Sequence, residues 1–466
     1  MSKRAYRLGL AVLLAVVCLF TQAQAAPARR VLLLSIDGLD ARYLARRDEL
    51  KLRIPTLRRL LDEGLTARAG VISVYPSLTY PAHTTLVTGA RPARHGVFGN
   101  EVFDPLRAST PGIWYASAIK ADTLWDAARR AGLSTGLVSW PVAAGAGDWN
   151  TPEFWRPGGT YRDAATDIAA NARPAGLVEE IAARDPALYA LSTKDEQDDM
   201  RTRFAEYIIE TKRPRLMLVH LYDFDHYQHD FGPFAPASHA LLEKSDAYLA
   251  RLLAAYERAA LLDETAVFIV SDHGFLPVSQ RVHPGVLLER AGLLQVREDE
   301  TNEGGRRRVR VTDWRAGVYV TAGSCSIILR DPRDTDALRR VRRALTNFLR
   351  QQRRTGRAPA FRILEAREVR RLGANPRAAL MLEGGAGYSF GANVTGEVIV
   401  ADNKRGNHGY LPTIPNYRAA FIASGAGITR RGEIGALDIT DIAPTIAHLL
   451  GLKLKDAEGR ALRVKR

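Results

Sequence analysis

The sequence predicts an α/β fold: a largely parallel sheet flanked by helices, with a cap region inserted into it. Three observations point there. Apolar, β-rich runs at 31–36, 135–140, 216–221, 266–270 and 419–423 recur with helical segments between them, the alternation that builds parallel sheets covered by helices. Acidic residues follow three of these runs within a few positions, at Asp37, Asp225 and Asp272, and ligands of such sheets gather at the carboxyl ends of the strands. Between Pro277 and about Asp402 this rhythm of strand and acid stops.

The chain opens on a leader. Lys3, Arg4 and Arg7 precede an apolar run over 8–20 and the small-residue ending Ala23-Gln24-Ala25, the pattern of a secretory signal peptide cut near residue 25. The run is shorter than the roughly 18 to 20 residues of a spanning helix, so the mature chain is expected to be exported without a membrane anchor, to the periplasm of a Gram-negative source and otherwise secreted. Lipidation at Cys18 is the competing reading, but Val16-Val17 lacks the small residues of a lipoprotein site. Cys325 then stands alone and makes no intramolecular disulfide.

From 26 to 276 the chain reads as the first part of one large core, with a helix at 121–131 and another at 240–261. Residues 277–402 read as the cap, with short strands at 309–311, 318–320 and 326–329 and a basic helix over 339–354 whose Leu345, Phe348 and Leu349 share a face. Gly384-Gly385-Ala386-Gly387 fits either a mobile loop beside the site or a plain turn. Residues 403–466 return to the core and end on a helix at 438–450. The formal charge of +15 stays strongly positive without the leader, and such a field concentrates small anionic substrates. Nucleic-acid binding is the alternative, resting on Arg306-Arg307-Arg308 and the basic helix. A solvated helix surface explains the latter better, so no stable nucleic-acid complex is expected.

Chemistry concentrates in four short stretches. Asp37 in Ser35-Ile36-Asp37-Gly38 is either a ligand or a strand-end cap. Asp225 and His229 lie four apart, so on a helix they share a face and can hold one cation, or form a surface pair. Ser271-Asp272-His273-Gly274 sets a carboxylate beside an imidazole, with Gly274 allowing a tight turn. Asn407-His408-Gly409 adds an imidazole in a glycine-flanked loop. Four such stretches in one chain, three of them after strand-like runs, argue for a shared site.

These stretches, with Thr79-Tyr80-Pro81-Ala82-His83, His95-Gly96, Asn100, Gly232-Pro233 and Tyr410, resemble the nucleotide pyrophosphatase/phosphodiesterase family of the alkaline phosphatase superfamily, from about 31 to 452. The resemblance implies an alkaline-phosphatase-like fold and a two-zinc site. Asp225, His229 and His408 would hold one metal, and Asp37, Asp272 and His273 the other, together with the Thr79 oxygen. It further implies Thr79 as the nucleophile and Asn100 as donor to a non-bridging phosphoryl oxygen. By themselves, Thr79 before a proline reads as a helix N-cap and Asn100 as a turn residue. Three carboxylates and three imidazoles without thiolate suit Zn²⁺, with Mn²⁺ less favoured. Two cations about 4 Å apart can stabilise both the attacking and the leaving oxygen at phosphorus, and a threonine hydroxyl needs such help to act as a nucleophile. A helix starting near Pro81 would add its positive dipole end. His83 and His95 read as structural or supporting, and His220, His226, His239, His283 and His448 as surface or satisfied core residues.

The expected reaction is therefore hydrolysis of a small anionic phosphoester, a nucleotide among the candidates, through a phosphothreonine-type intermediate. Sulfatases need a cysteine or serine where this chain has Thr79. A neutral Asn100 in place of a cationic clamp favours a diester over a monoester. Phosphomonoesterase, phosphonate hydrolase and non-catalytic metal-dependent binding remain the alternatives. Leaving-group choice is assigned to Trp140-Pro141-Val142, to 152–155 and to the cap, where Phe154, Trp155 or Tyr161 serves either to stack on a nucleobase or to pack.

Overall fold

The computed structural model describes residues 29–106, 112–155, 161–188, 196–298 and 309–465. The leader over 1–25 with Cys18, the Arg306-Arg307-Arg308 run and the Tyr161 side chain lie outside the described residues. Among the described residues no helix is long and apolar enough to cross a membrane.

The main sheet has eight strands: β1 (Arg30–Ile36), β2 (Leu65–Ala67), β3 (Thr135–Val138), β4 (Trp149–Thr151), β5 (Leu216–Leu221), β6 (Thr265–Val270), β7 (Phe421–Gly425) and β8 (Gly432–Ile434), in the order β8-β2-β7-β6-β1-β5-β3-β4. β1 is central and parallel to both neighbours, with Leu33 opposite Leu218 on one side and Phe268 on the other. Side chains alternate across a strand, so a buried parallel strand must be apolar on both faces. Leu32, Leu34 and Ile36 accordingly join one core with Leu242, Leu249 and Leu252 of the helix Pro236–Arg258. Val31 and Leu33 join the opposite core with Leu86 of the helix α1 (Thr79–Thr88), Trp125 of Leu124–Arg130 and Ile446 of Ile442–Leu449. Each such buried Leu, Ile or Val stabilises by roughly 1.5–3 kcal/mol.

All five sequence-predicted runs are strands, but the last is displaced and reversed. β7 begins at Phe421 and is antiparallel to β6, with Phe421 opposite Val270. The chain reaches β7 from the loop of His408 at the carboxyl end of the sheet, so its next strand has to run downward. The predicted helix at 438–450 is a 3₁₀ turn, Ile439–Asp441, followed by Ile442–Leu449.

Beyond β6 the chain runs out along the strand Leu276–Val282, which pairs with Gly387–Phe390 and Ile399–Ala401. A four-stranded antiparallel sheet follows, in the order Ala316–Thr321, Ser324–Leu329, Ala378–Gly384, Phe361–Glu365. Its apolar core is separate from those of the main sheet. The basic helix α4 (Thr335–Arg354) starts where Asp334 accepts the Ala337 N–H at 2.9 Å and buries Ala337, Val341 and Leu345 at four-residue spacing. Beside it lies α3 (Pro284–Arg290), whose Leu287 and Leu288 share that core. Gly384 to Gly387 is a plain turn between two strands, with Gly387 at φ +80°.

Candidate active site

Asp37 leaves the end of β1, and Asp272 and His273 follow β6. After β5 comes the helix α2 (Asp223–Phe231), which sets Asp225 and His229 one turn apart with His229 Nε2 3.4 Å from Asp225 Oδ2. His408 arrives from beyond the four-stranded sheet, on a loop where Gly409 has φ +88° and a Cβ would lie 2.2 Å from the Thr321 carbonyl. Gly274 serves differently from the tight turn expected of it. It leaves room, since a Cβ there would stand 2.6 Å from Asp40 Oδ2.

The structure brings all six predicted ligands together in the two predicted groups, Asp225 with His229 and His408, and Asp37 with Asp272 and His273. The groups adjoin: His273 Nε2 is 3.0 Å from Asp272 Oδ2, 3.3 Å from Asp37 Oδ1 and 4.0 Å from Asp225 Oδ1, and its ring stacks on His408 at 3.7 Å. Asp37 Oδ1, Asp225 Oδ1, Asp272 Oδ2 and both His273 nitrogens are buried without a hydrogen-bond partner among the described residues. Each such atom costs on the order of 1–3 kcal/mol, more when charged, so the three carboxylate oxygens gathered around His273 Nε2 fit a site built to ligate cations. The other ligand atoms are aimed by the protein: His229 Nδ1 donates to the Gly406 carbonyl at 2.9 Å, and Asp272 Oδ1 accepts the Gly38 N–H at 3.1 Å.

The electrostatics agree. Burial, and then neighbouring carboxylates, raise the Asp37 pKa, and burial pushes Asp225 up to about 6. Asp272 is also opposed by burial, yet the imidazoles of His273 and His83 hold it far below the usual carboxylate range. Burial keeps His229 and His408 neutral, the form in which an imidazole ligates.

Thr79 is the first residue of α1 and the only one of that helix not buried. The helix thus starts two residues before Pro81. Its surroundings are tied to the cluster: Ser73 Oγ donates to the Asp272 carbonyl at 2.5 Å, and Ser77 O accepts the Gly409 N–H at 2.8 Å. His83 Nδ1 donates to the Thr79 carbonyl at 2.9 Å and Nε2 meets Ser35 Oγ at 2.8 Å, so His83 supports the nucleophile's turn. His95 is buried and bonded to Thr85 Oγ1 at 3.1 Å, away from the ligand groups. Asn100 Oδ1 accepts the Tyr80 N–H at 3.0 Å, which leaves its NH₂ as the donor.

Three residues were missed in the sequence. His220, read there as surface or core, lies on β5 with Nε2 2.9 Å from Asp37 Oδ2 and Nδ1 3.1 Å from the Ser139 carbonyl, fixing the Asp37 carboxylate. Glu153 stands behind it, Oε2 3.8 Å from His220 Nδ1, with burial pushing its carboxyl up to about 8. Lys404 is half-buried, with its pKa lowered by burial. Asp225 is the strongest charge opposing that shift, and the Lys404 ammonium in turn lowers the His229 pKa. The site therefore has a cation near it, which weakens the argument from a neutral Asn100. No local pattern marks these residues; only the tertiary fold does. Conversely Phe154 packs on Trp114 at 5.2 Å, Trp155 Nε1 donates to Tyr80 OH at 2.8 Å, and Trp140 is fully buried against His83. These aromatics are packing.

A family model for type I phosphodiesterase / nucleotide pyrophosphatase matches residues 31–411. The human protein named ectonucleotide pyrophosphatase/phosphodiesterase family member 5 is 24% identical over 258 residues, 54% of this chain and 46% of its own length. A Schizosaccharomyces pombe uncharacterized pyrophosphatase/phosphodiesterase is 24% identical over 261 residues, 53% of this chain and 45% of its own. The chain thus spans about half the length of these curated relatives. Among solved structures, human ectonucleotide pyrophosphatase / phosphodiesterase 5 superposes with a TM-score of 0.63 at 20% identity, over 92% of this chain and 97% of that one. An inactive variant of the murine protein in complex with AMP gives 0.61 at 18%, over the same shares. These structures share the fold.

Proposed function

The chain belongs to the type I phosphodiesterase / nucleotide pyrophosphatase family, and on that premise we propose that it hydrolyses phosphodiesters or nucleotide pyrophosphates with two zinc ions and a covalent intermediate on Thr79. The observation that carries this is the meeting of two three-residue groups whose buried, unpaired ligand atoms gather near the half-buried Thr79. The donor set of carboxylates and imidazoles fits zinc, with Asp225, His229 and His408 for one ion and Asp37, Asp272, His273 and the Thr79 oxygen for the other. Two bound cations would lower the Thr79 hydroxyl pKa and offset charge on the entering and departing oxygens.

The chain's own residues do the rest. Thr79 Oγ1 forms the new bond to phosphorus as the leaving group departs in line, and water then cleaves the threonine ester. The Asn100 NH₂ and the Thr79 N–H at the start of α1 donate to the non-bridging oxygens, whose charge grows in the transition state. His220 holds Asp37, and His83 holds the Thr79 turn. The AMP bound to the murine relative supports a nucleotidyl group as the half that is transferred. Within 277–402, leaving-group selection is assigned to the strands that reach the Asn100 segment through Tyr319 and not to α3 or α4, and the leader over 1–25 supports export. Turnover of a chromogenic diester and of the matching monoester, with and without chelator, tests the reading. Diester turnover that chelation removes and zinc restores is expected, and faster monoester turnover would defeat the diester assignment.

Three smaller effects follow. Asn100→Ala should lower kcat by ~10²-fold, the scale of one transition-state donor. Tyr319 of the cap donates to the Glu101 carbonyl at 2.5 Å and leaves no room for a side chain at Gly99. Tyr319→Phe, which only loosens the Asn100 loop, should therefore cost less than Asn100→Ala in the same assay. Lys404→Met should raise KM about tenfold, roughly 1.4 kcal/mol, for a nucleotide pyrophosphate and leave a singly charged diester within about twofold. Equal effects on both substrates would mean that Lys404 does not face the leaving group.

A further inference from the structure

The basic helix α4 plays no part in the chemistry above, yet it borders a groove outside the metal cluster. That groove, of about 440 Å³, lies between α3 and α4. On α4 it is lined by one face, Arg340, Arg343, Asn347 and Gln351 with Phe348 beside them, and on the other side by the carboxyl end of α3. This spacing of three and four residues is what puts side chains in one row along a helix.

The charges in the groove are uncompensated. α4 carries seven arginines against the single acid Asp336. Outside the groove Arg339 pairs with Asp336 at 3.3 Å and Arg342 with Glu365, while Arg350, Arg353 and Arg354 at the end of α4 have no carboxylate partner among the described residues. Within it, Arg290, Arg340 and Arg343 have no carboxylate partner among the described residues. Arg290 donates one Nη2 bond to the Gly396 carbonyl at 2.9 Å and Arg340 one to the Ala291 carbonyl. Two of the three guanidiniums are thus held in place by a single backbone bond each, while their remaining donors stay unspent. A guanidinium already held by the fold loses less freedom when it takes a ligand, and its planar fork matches the oxygens of a phosphate.

The floor between these cations is apolar. Leu287 is 8% exposed, and Phe348 and Ala291 pack on the same core. Gln351 adds an amide with donor and acceptor together, and Asn347, whose Oδ1 accepts Arg350 Nη1 at 3.3 Å, adds its NH₂. We propose that this groove binds a phosphorylated small molecule of nucleotide size, its phosphate among Arg290, Arg340 and Arg343 and its ring over Phe348 and Leu287. A bare phosphate would leave the apolar floor and the amides without use. No lining residue belongs to the metal cluster or the Thr79 segment. The inference therefore does not rest on the hydrolytic reading and stands or falls apart from it.

Calorimetric titration of the metal-loaded full chain with AMP tests it. Arg343 has no hydrogen bond among the described residues, so Arg343→Glu should fold as the wild type does, which circular dichroism checks. At least one AMP-binding event should weaken tenfold or more in Arg343→Glu and also in Arg290→Gln. That same event should survive Asp225→Asn, and diester turnover by Arg343→Glu should stay within about twofold. AMP should outcompete both inorganic phosphate and glycerol 3-phosphate. AMP affinity unchanged by both arginine variants overturns the proposal. So does inorganic phosphate binding as tightly as AMP, which would mean an adventitious ion only. Arginine-dependent binding of phosphatidylglycerol vesicles or of an oligonucleotide, without binding of AMP, likewise overturns it in favour of a surface contact.

Discussion

Thr79→Ala is expected to take up its metals as the wild type does and to lose at least ~10³-fold in turnover, as removal of a nucleophile does elsewhere. The expectation rests on where Thr79 sits. Every other residue of α1 is buried, while Thr79 alone is accessible at the helix start. The two three-residue groups of carboxylates and imidazoles stand without it, so the alanine variant keeps six of the seven proposed ligand residues. His83 bonds to the Thr79 backbone carbonyl rather than to its hydroxyl, so the turn also survives. If water attacked directly, the variant would lose little. Thr79→Ser retains the oxygen and should retain part of the activity. Acid quench during turnover should trap a phosphoryl ester on the peptide containing Thr79. With a phosphorus-chiral substrate, two successive in-line displacements should give net retention. Inversion at phosphorus, together with a near-normal Thr79→Ala rate, would end the covalent mechanism and leave the two-group site standing.

How much of this was legible before the fold was known depended on range. Asp37 and the Asp272-His273 pair could be read because a strand end and the residue after it are neighbours in sequence. Asp225 and His229 could be read because one helical turn joins them. The central strands were visible because burial on both faces leaves few polar positions, as in the run from Val31 to Ile36, where Ser35 alone is polar. His220 was hidden for the same reason: it sits inside an apolar run, and only the pairing of Ser35 with His220 across β1 and β5 brings it to Asp37. Glu153 and Lys404 come from loops that meet the cluster through the tertiary fold alone. The direction of β7 depends on how the chain returns from the cap, which local periodicity does not record. Gly274 was assigned a turn because glycine often makes one, whereas the close approach of Asp40 is what requires it.

Metal removal should be as damaging as loss of Thr79, and its signature should reach beyond activity. About two zinc ions per chain are expected by elemental analysis, one per ligand group. Chelation should abolish turnover and also lower the melting temperature, because ions that bind only the folded chain stabilise it. Asp225 gives this a sign. Its carboxyl is pushed up to about 6 from an ordinary value near 3.8, chiefly by burial. A carboxyl raised in this way is bound more tightly to its proton in the folded chain than in the unfolded one. The apo protein should therefore lose stability as pH rises from about 4 through about 6, where the folded site is made to carry a buried charge. Metal binding needs the opposite state. Zinc affinity should fall as pH drops through about 6, where the proton competes for Asp225. The two trends cross in one variant. Asp225→Asn cannot ionise, so its apo form at pH 8 should be at least as stable as wild-type apo protein, while its zinc content falls to about one and its turnover is lost. An Asp225→Asn protein that is less stable than wild type in chelator, or that keeps two ions, would show Asp225 to be a structural group and not a ligand.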